Sequence, residues 1–96
     1  MTITWTPIAF AQAEEIAEQI ALDNPLAAEK WLDSLFEGVE RLSSFPESGK
    51  WVPEIPRREI REIIYGHYRV IYRIREEDIS ILSVRHGRRR LSETDV

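Results

Sequence analysis

Apolar positions change their spacing along the chain, and each change marks a boundary between element types. Thr2-Ile3-Thr4-Trp5 alternates polar and apolar residues with β-branched side chains, as a short strand does. Thr6-Pro7 supplies a capping hydroxyl and a proline whose missing N–H costs nothing at the first helical position. From Ile8 to about Leu22, Phe10, Ala13, Ile16, Ala17, Ile20 and Ala21 recur at helical spacing, with Glu14, Glu15 and Glu18 off that stripe. Asn24-Pro25 repeats the cap-and-proline signal. It opens a second helix from Pro25 to about Ser43, predicted to bury Ala28, Trp31, Leu32, Leu35, Phe36, Val39 and Leu42. A connection this short folds the two helices into an antiparallel hairpin.

Phe45-Pro46-Glu47-Ser48-Gly49-Lys50 reads as a loop, and Trp51 to Pro56 continues extended, because its two prolines forbid helix and central strand alike. A strand from about Arg58 to Tyr65 carries Ile60, Ile63 and Ile64, and Gly66 provides a tight turn. From Tyr68 to Arg75 the alternation is clean. Tyr68, Val70, Tyr72 and Ile74 share one face; Arg69, Ile71, Arg73 and Arg75 share the other. Glu76-Glu77-Asp78 forms a charged turn. The last strand, Ile79 to His86, is expected to place Leu82 and Val84 on one face and Ile79 and Ile81 on the other. The fold class is α+β: an N-terminal strand, then a helical hairpin packed on a C-terminal antiparallel three-stranded meander, β-α-α-β-β-β.

Composition adds limits. Ninety-six residues at 43% hydrophobic make one folded domain, residues 1–96, rather than a disordered chain. With no cysteine there is no disulfide frame, thiolate metal site or cysteine nucleophile, which suits a reducing compartment. No apolar run approaches the ~20 residues that span a bilayer, and MTITWTPIAF lacks the basic-then-apolar order of a signal peptide. The expectation is a cytoplasmic protein without membrane association. Charge is uneven. Residues 1–56 carry three Lys/Arg against ten Asp/Glu, whereas residues 57–90 carry ten Arg against five Asp/Glu and no lysine. Arginine's planar fork suits phosphate or carboxylate, so a polyanionic partner fits; so does the plainer reading of arginines that solvate a sheet face and pair with helix carboxylates.

Three passages bring a family into view: IAEQIALDNPLAAEKW in the helical hairpin, FPESG after it, and REIIYGHYRVIYRIREEDISILSVRHGRR through the strands. In that order and spacing they resemble the RelE/ParE superfamily of bacterial toxins from type II toxin–antitoxin modules, over nearly the whole chain. The resemblance implies growth regulation and plasmid stabilisation, with a cognate antitoxin as partner in a hetero-oligomer. Such an antitoxin has a DNA-binding N-terminal part and a disordered C-terminal arm. The superfamily divides by target: RelE-like members are ribosome-dependent messenger ribonucleases, and ParE-like members poison DNA gyrase.

Cleavage of RNA through its 2′-hydroxyl needs a proton acceptor, a cation on the scissile phosphate and a donor to the leaving oxygen. Arg69 matches the phosphate-contacting arginine of the nucleases' G-Y-R strand, Arg89 falls near a second one, and His86 has a suitable reference pKa. The departures are larger. Where RelE-like enzymes carry a lysine pair this chain has Ile60-Arg61-Glu62, and Asp95 aligns near their terminal catalytic tyrosine. The chain is also acidic overall, at −4, where a protein entering an RNA-lined site gains from positive charge. The expectation is a ParE-like gyrase inhibitor, with the ribonuclease acting on ribosome-bound mRNA as the alternative and an inactive antitoxin-binding descendant as a third reading. Target or antitoxin contact is expected at Arg61, Arg69, Arg73, Arg85, His86, Arg88, Arg89 and Arg90, the whole set meeting only if the sheet curls. Read alone, His86 also fits a strand-end histidine bonded to backbone. No cofactor and no metal are expected.

Overall fold

Both helices begin where the sequence puts their caps. The computed structural model describes residues 1–96. In it the Thr6 hydroxyl accepts from the Ala9 N–H at 3.2 Å and opens α1 (Pro7–Asp23). The Asn24 side-chain oxygen accepts from the Ala27 N–H at 3.1 Å and opens α2 (Pro25–Glu40). The last predicted turn of α2, Arg41–Ser43, tightens into a 3-10 turn. Thr6 also donates its hydroxyl to the Ile81 carbonyl at 2.7 Å, tying the start of α1 to the sheet.

α1 turns a ridge of small residues, Ala9, Ala13 and Ala17, toward its neighbours, which lets its backbone come close. Phe10 is therefore carried to the rim, not into the core as expected, and is 44% exposed. It stacks on Phe36 at 6.5 Å, and Phe36 meets Trp5 edge-on at 5.1 Å. No helix is long and apolar enough to cross a membrane.

The strands are β1 (Thr2–Trp5), β2 (Lys50–Trp51), β3 (Ile60–Tyr65), β4 (Tyr68–Arg75) and β5 (Asp78–His86). They form one sheet in the order β1-β5-β4-β3-β2. The meander β3-β4-β5 is its centre, as expected. The N-terminal strand extends it by pairing parallel with β5, and two residues of the proline-flanked segment cap the far edge by pairing antiparallel with β3. Gly66, at φ 58°, makes the turn between β3 and β4, a conformation that favours glycine.

One expectation fails for a specific reason. The β4–β5 register is regular from Tyr68↔His86 to Ile71↔Ser83, but Tyr72 then faces Ile81, leaving Leu82 as an extra residue. This bulge shifts the alternation by one position. Ile79, Ile81 and Val84 consequently share the helix-side core with Val70 and Tyr72, while Leu82 joins the opposite face. Leu82 and Val84 are thus separated, and Val84 lies with Ile79 and Ile81.

The sheet is covered on both sides. Against the helices lies a core of Ala9, Ala13, Leu35, Val39, Leu42, Val70, Tyr72, Ile79, Ile81 and Val84. On the other side a smaller cluster of Val52, Ile55, Ile60, Ile71, Leu82 and Leu91 is closed by the 52–56 loop and the C-terminal tail.

Candidate functional site

The alternation of β4 sends Arg69 to the outer, non-helical face of the sheet, and its fate there defines the site. Arg69 is only 6% exposed. Its Nε donates to Glu62 at 2.6 Å, and its two terminal nitrogens donate to the two oxygens of Glu54 at 2.8 and 2.9 Å. Two carboxylates therefore grip one guanidinium, the second of them as a fork-to-fork pair. The Arg69 hydrogen bonds hold Glu54 down to about 2, well below the ordinary carboxylate range, despite the opposing effect of burial. The same pairing raises Arg69, chiefly through Glu54.

This buried cluster also binds the tail. Arg69 donates to the Arg89 carbonyl at 3.2 Å, and Glu54 accepts from the Leu91 N–H at 3.1 Å. Arg85, 8% exposed, donates to the Arg90 carbonyl at 3.1 Å and to Ser83 at 3.0 Å. It also pairs with Asp95 at 3.2 Å. Asp95 is lowered by the Ser92 backbone N–H and by Arg85, and it closes a capping box with Ser92 on the last turn of the chain. Leu91 is seated in the outer cluster at 4% exposure. The backbone of residues 89–91 is thus fixed at three consecutive positions, while the side chains of Arg88, Arg89 and Arg90 stay exposed.

His86 is exposed at the end of β5 and accepts the Arg88 N–H on Nδ1 at 3.2 Å. Its ring lies parallel to that of His67, with centroids 6.4 Å apart, and Tyr68 meets it edge-on at 5.9 Å. Beside it a cleft of about 280 Å³ is lined by Gln12, Glu15 and Gln19 of α1 together with Tyr68, His86 and Arg89, among others. Gln12 accepts from the Val84 N–H at 2.8 Å and from Ser83 at 3.1 Å, completing hydrogen bonds of β5 beyond the end of β1.

The structure therefore brings Arg69, Arg85, His86, Arg88, Arg89 and Arg90 to one end of the sheet and divides them. Arg69 and Arg85 are withdrawn into internal ion pairs, so neither guanidinium is presented as a contact surface. His86 and Arg88–Arg90 are presented. Arg73 lies further along β4 and half-buried. Arg61 does not join the group. It sits on the helix side of β3 and donates to the Gly49 and Glu47 carbonyls at 2.8 and 3.3 Å. Sequence reasoning missed Glu54 and Gln12 as organisers and took Glu62 only for a missing lysine. The hairpin register sets Glu62 diagonal to Arg69 on one face, a readable signal; nothing local marks Glu54. No three His, Asp or Glu side chains gather to hold a metal ion.

A second surface lies at the opposite edge. β2 pairs only with Arg61 and Glu62, so β3 from Ile63 to Tyr65 has no strand on that side. Next to it a groove of about 350 Å³ is lined by Leu35, Leu42, Phe45, Ile63, Ile64 and Arg41, among others. Phe45 and Ile64 are 65% and 55% exposed.

Known proteins share this architecture. A chain described as the chromosomal ParDE toxin–antitoxin system from P. aeruginosa superposes with a TM-score of 0.74 over 90% of this chain and 95% of that one, at 21% identity. No curated protein is significantly similar in sequence. The family model "ParE toxin of type II toxin-antitoxin system, parDE" matches residues 3–91, which include both helices, β2 to β5, β1 from Ile3 onward and the clamped arginines. The chain belongs to the ParE toxin family of type II toxin–antitoxin systems.

Proposed function

We propose that this toxin acts in the cytoplasm by binding DNA gyrase through protein surface, and that a cognate antitoxin neutralises it in a hetero-oligomer. One observation carries the preference over RNA cleavage. Arg69, the residue a RelE-like nuclease would turn on the scissile phosphate, is gripped by Glu54 and Glu62 of the same chain. Asp95, where such enzymes would carry a catalytic tyrosine, is committed to Arg85. What remains outward is the run Arg88–Arg90 with His86, a cationic surface suited to contact. In this reading the tail arginines meet the target. The antitoxin arm, extended and apolar, covers the groove and free edge beside Phe45 and Ile64, where an added strand would find unpaired backbone groups.

Induction in a bacterium lacking the antitoxin tests the target. Double-strand breaks and an SOS response should precede any loss of message integrity, and the purified chain should trap gyrase–DNA cleavage complexes. Cleavage of translating messages without DNA damage would establish the ribonuclease reading instead. For the antitoxin surface, Phe45→Asp with Ile64→Asp should weaken neutralisation while leaving toxicity intact.

A further inference from the structure

We propose that Glu54 is a positioning residue for the basic tail: its carboxylate clamps the tail backbone so that Arg88, Arg89 and Arg90 are held ready for an anionic partner surface. The proposal deepens the reading above and rests on the tail arginines being the target contact.

The hydrogen bonds give Glu54 a double role. One oxygen, Oε1, is committed to Arg69 alone, and the other, Oε2, is shared between Arg69 at 2.8 Å and the Leu91 N–H at 3.1 Å. Arg69 in turn reaches the Arg89 carbonyl. Glu54 therefore holds Leu91 directly and Arg89 through Arg69, one residue on either side of Arg90. Glu62 alone would neutralise Arg69, since it already makes a bond of 2.6 Å to Nε. The cluster thus has one carboxylate more than charge balance requires, and the extra one faces the tail. Its position between Pro53 and Pro56 supports this, because prolines restrict the backbone that carries it.

Presenting arginines from a fixed backbone lowers the ordering cost of binding, since the segment is not immobilised afresh at each encounter. A flexible tail would carry the same charge at lower apparent affinity. Loss of the clamp should therefore raise the amount of toxin needed without reducing the effect at saturation.

The test uses Glu54→Gln, which keeps Arg69 paired with Glu62 while leaving a single oxygen acceptor for three bonds. Tail opening is read as trypsin cleavage after Arg88–Arg90, folding by far-ultraviolet circular dichroism, and potency as the intracellular toxin level that halves growth rate. Expected are an unchanged dichroism spectrum, faster tail cleavage, and a half-effect level raised about tenfold with full arrest still reached. A variant that merely misfolds would instead lose the parent dichroism spectrum, because a smaller folded fraction also raises the half-effect level. Should Glu54→Gln not fold, Glu54→Asp, which keeps the charge but withdraws the carboxylate by one methylene, is scored the same way. An opened tail with unchanged half-effect level overturns the clamp's role, and an unopened tail overturns the clamp itself. The underlying reading fails separately. If Arg88→Gln, Arg89→Gln and Arg90→Gln combined leave potency intact, the tail is not the contact, whatever Glu54 does.

Discussion

The two faces of one sheet are closed by different physics. The helix face is buried by two long elements whose apolar stripes meet Val70, Tyr72, Ile79, Ile81 and Val84, a non-directional fit that tolerates small adjustments. The outer face has no helix. It is closed by a proline-bounded loop and a tail, and six buried apolar residues are supplemented by Arg69, Glu54, Glu62, Arg85 and Asp95. Directional bonds hold short irregular segments in one place, which a small apolar cluster alone does not ensure. The face that carries the exposed arginines is the face whose order depends on charge.

The largest expected effect comes from breaking that charge cluster on one side only. Arg69→Ala leaves the buried Glu62 and the largely buried Glu54 without their cation and should cost about 3–5 kcal/mol in urea unfolding. Replacing all three members together, Arg69→Met with Glu54→Gln and Glu62→Gln, should recover much of the loss. If the triple variant is no better than the single one, packing rather than ion pairing closes the outer face.

Acid sharpens the contrast next. Glu54 ionises at about 2 in the folded chain against an ordinary 4.5. A depressed carboxylate stabilises fully above its unfolded pKa, so this contribution, at most about 3 kcal/mol, is lost as pH falls from 4.5 toward 2. Urea midpoints over that range should fall less steeply for Glu54→Gln than for the parent. Parallel curves would assign the acid loss to other carboxylates.

The smallest effect tests the helix face at the Tyr72 hydroxyl. The Tyr72 hydroxyl accepts from the Gly49 N–H at 2.9 Å and donates to the Pro46 carbonyl at 2.8 Å, while burial pushes its phenol pKa up. A Cβ on Gly49 would collide with that hydroxyl and come within 2.7 Å of the Glu62 carbonyl. Tyr72→Phe should cost about 1–2 kcal/mol through the unsatisfied Gly49 N–H, measured by thermal unfolding, and should leave tail proteolysis unchanged.

These differences follow what the sequence could and could not express. Caps at Thr6 and Asn24, helical spacing and the strict alternation of Tyr68–Arg75 are local signals, and they place the helix face and the outward direction of Arg69. The bulge at Leu82 has no such signal, because inserting one residue changes pairing and not composition, and so Val84 falls on the face opposite to the one its alternation indicates. Glu54 was equally silent. It meets Arg69 and Leu91 across loops, and a carboxylate between prolines looks like any solvated turn residue until the tail folds over it. Charge counting located the basic segment but not which arginines are spent internally.

The parallel pairing of β1 with β5 has a consequence for the order in which the chain can fold. Thr2 lies beside Asp78 and Trp5 beside Ile81, so β1 has no partner until β5, 76 residues further along, has emerged. The α1 alanine ridge waits on the same late strand. Helical turns can form early, but the sheet that gives them a surface closes across almost the full chain, and such distant closure is slow. A nascent or truncated toxin therefore has neither a finished core nor a clamped tail. Its arginines acquire a fixed arrangement only once Leu91 and Asp95 have emerged to meet Glu54 and Arg85.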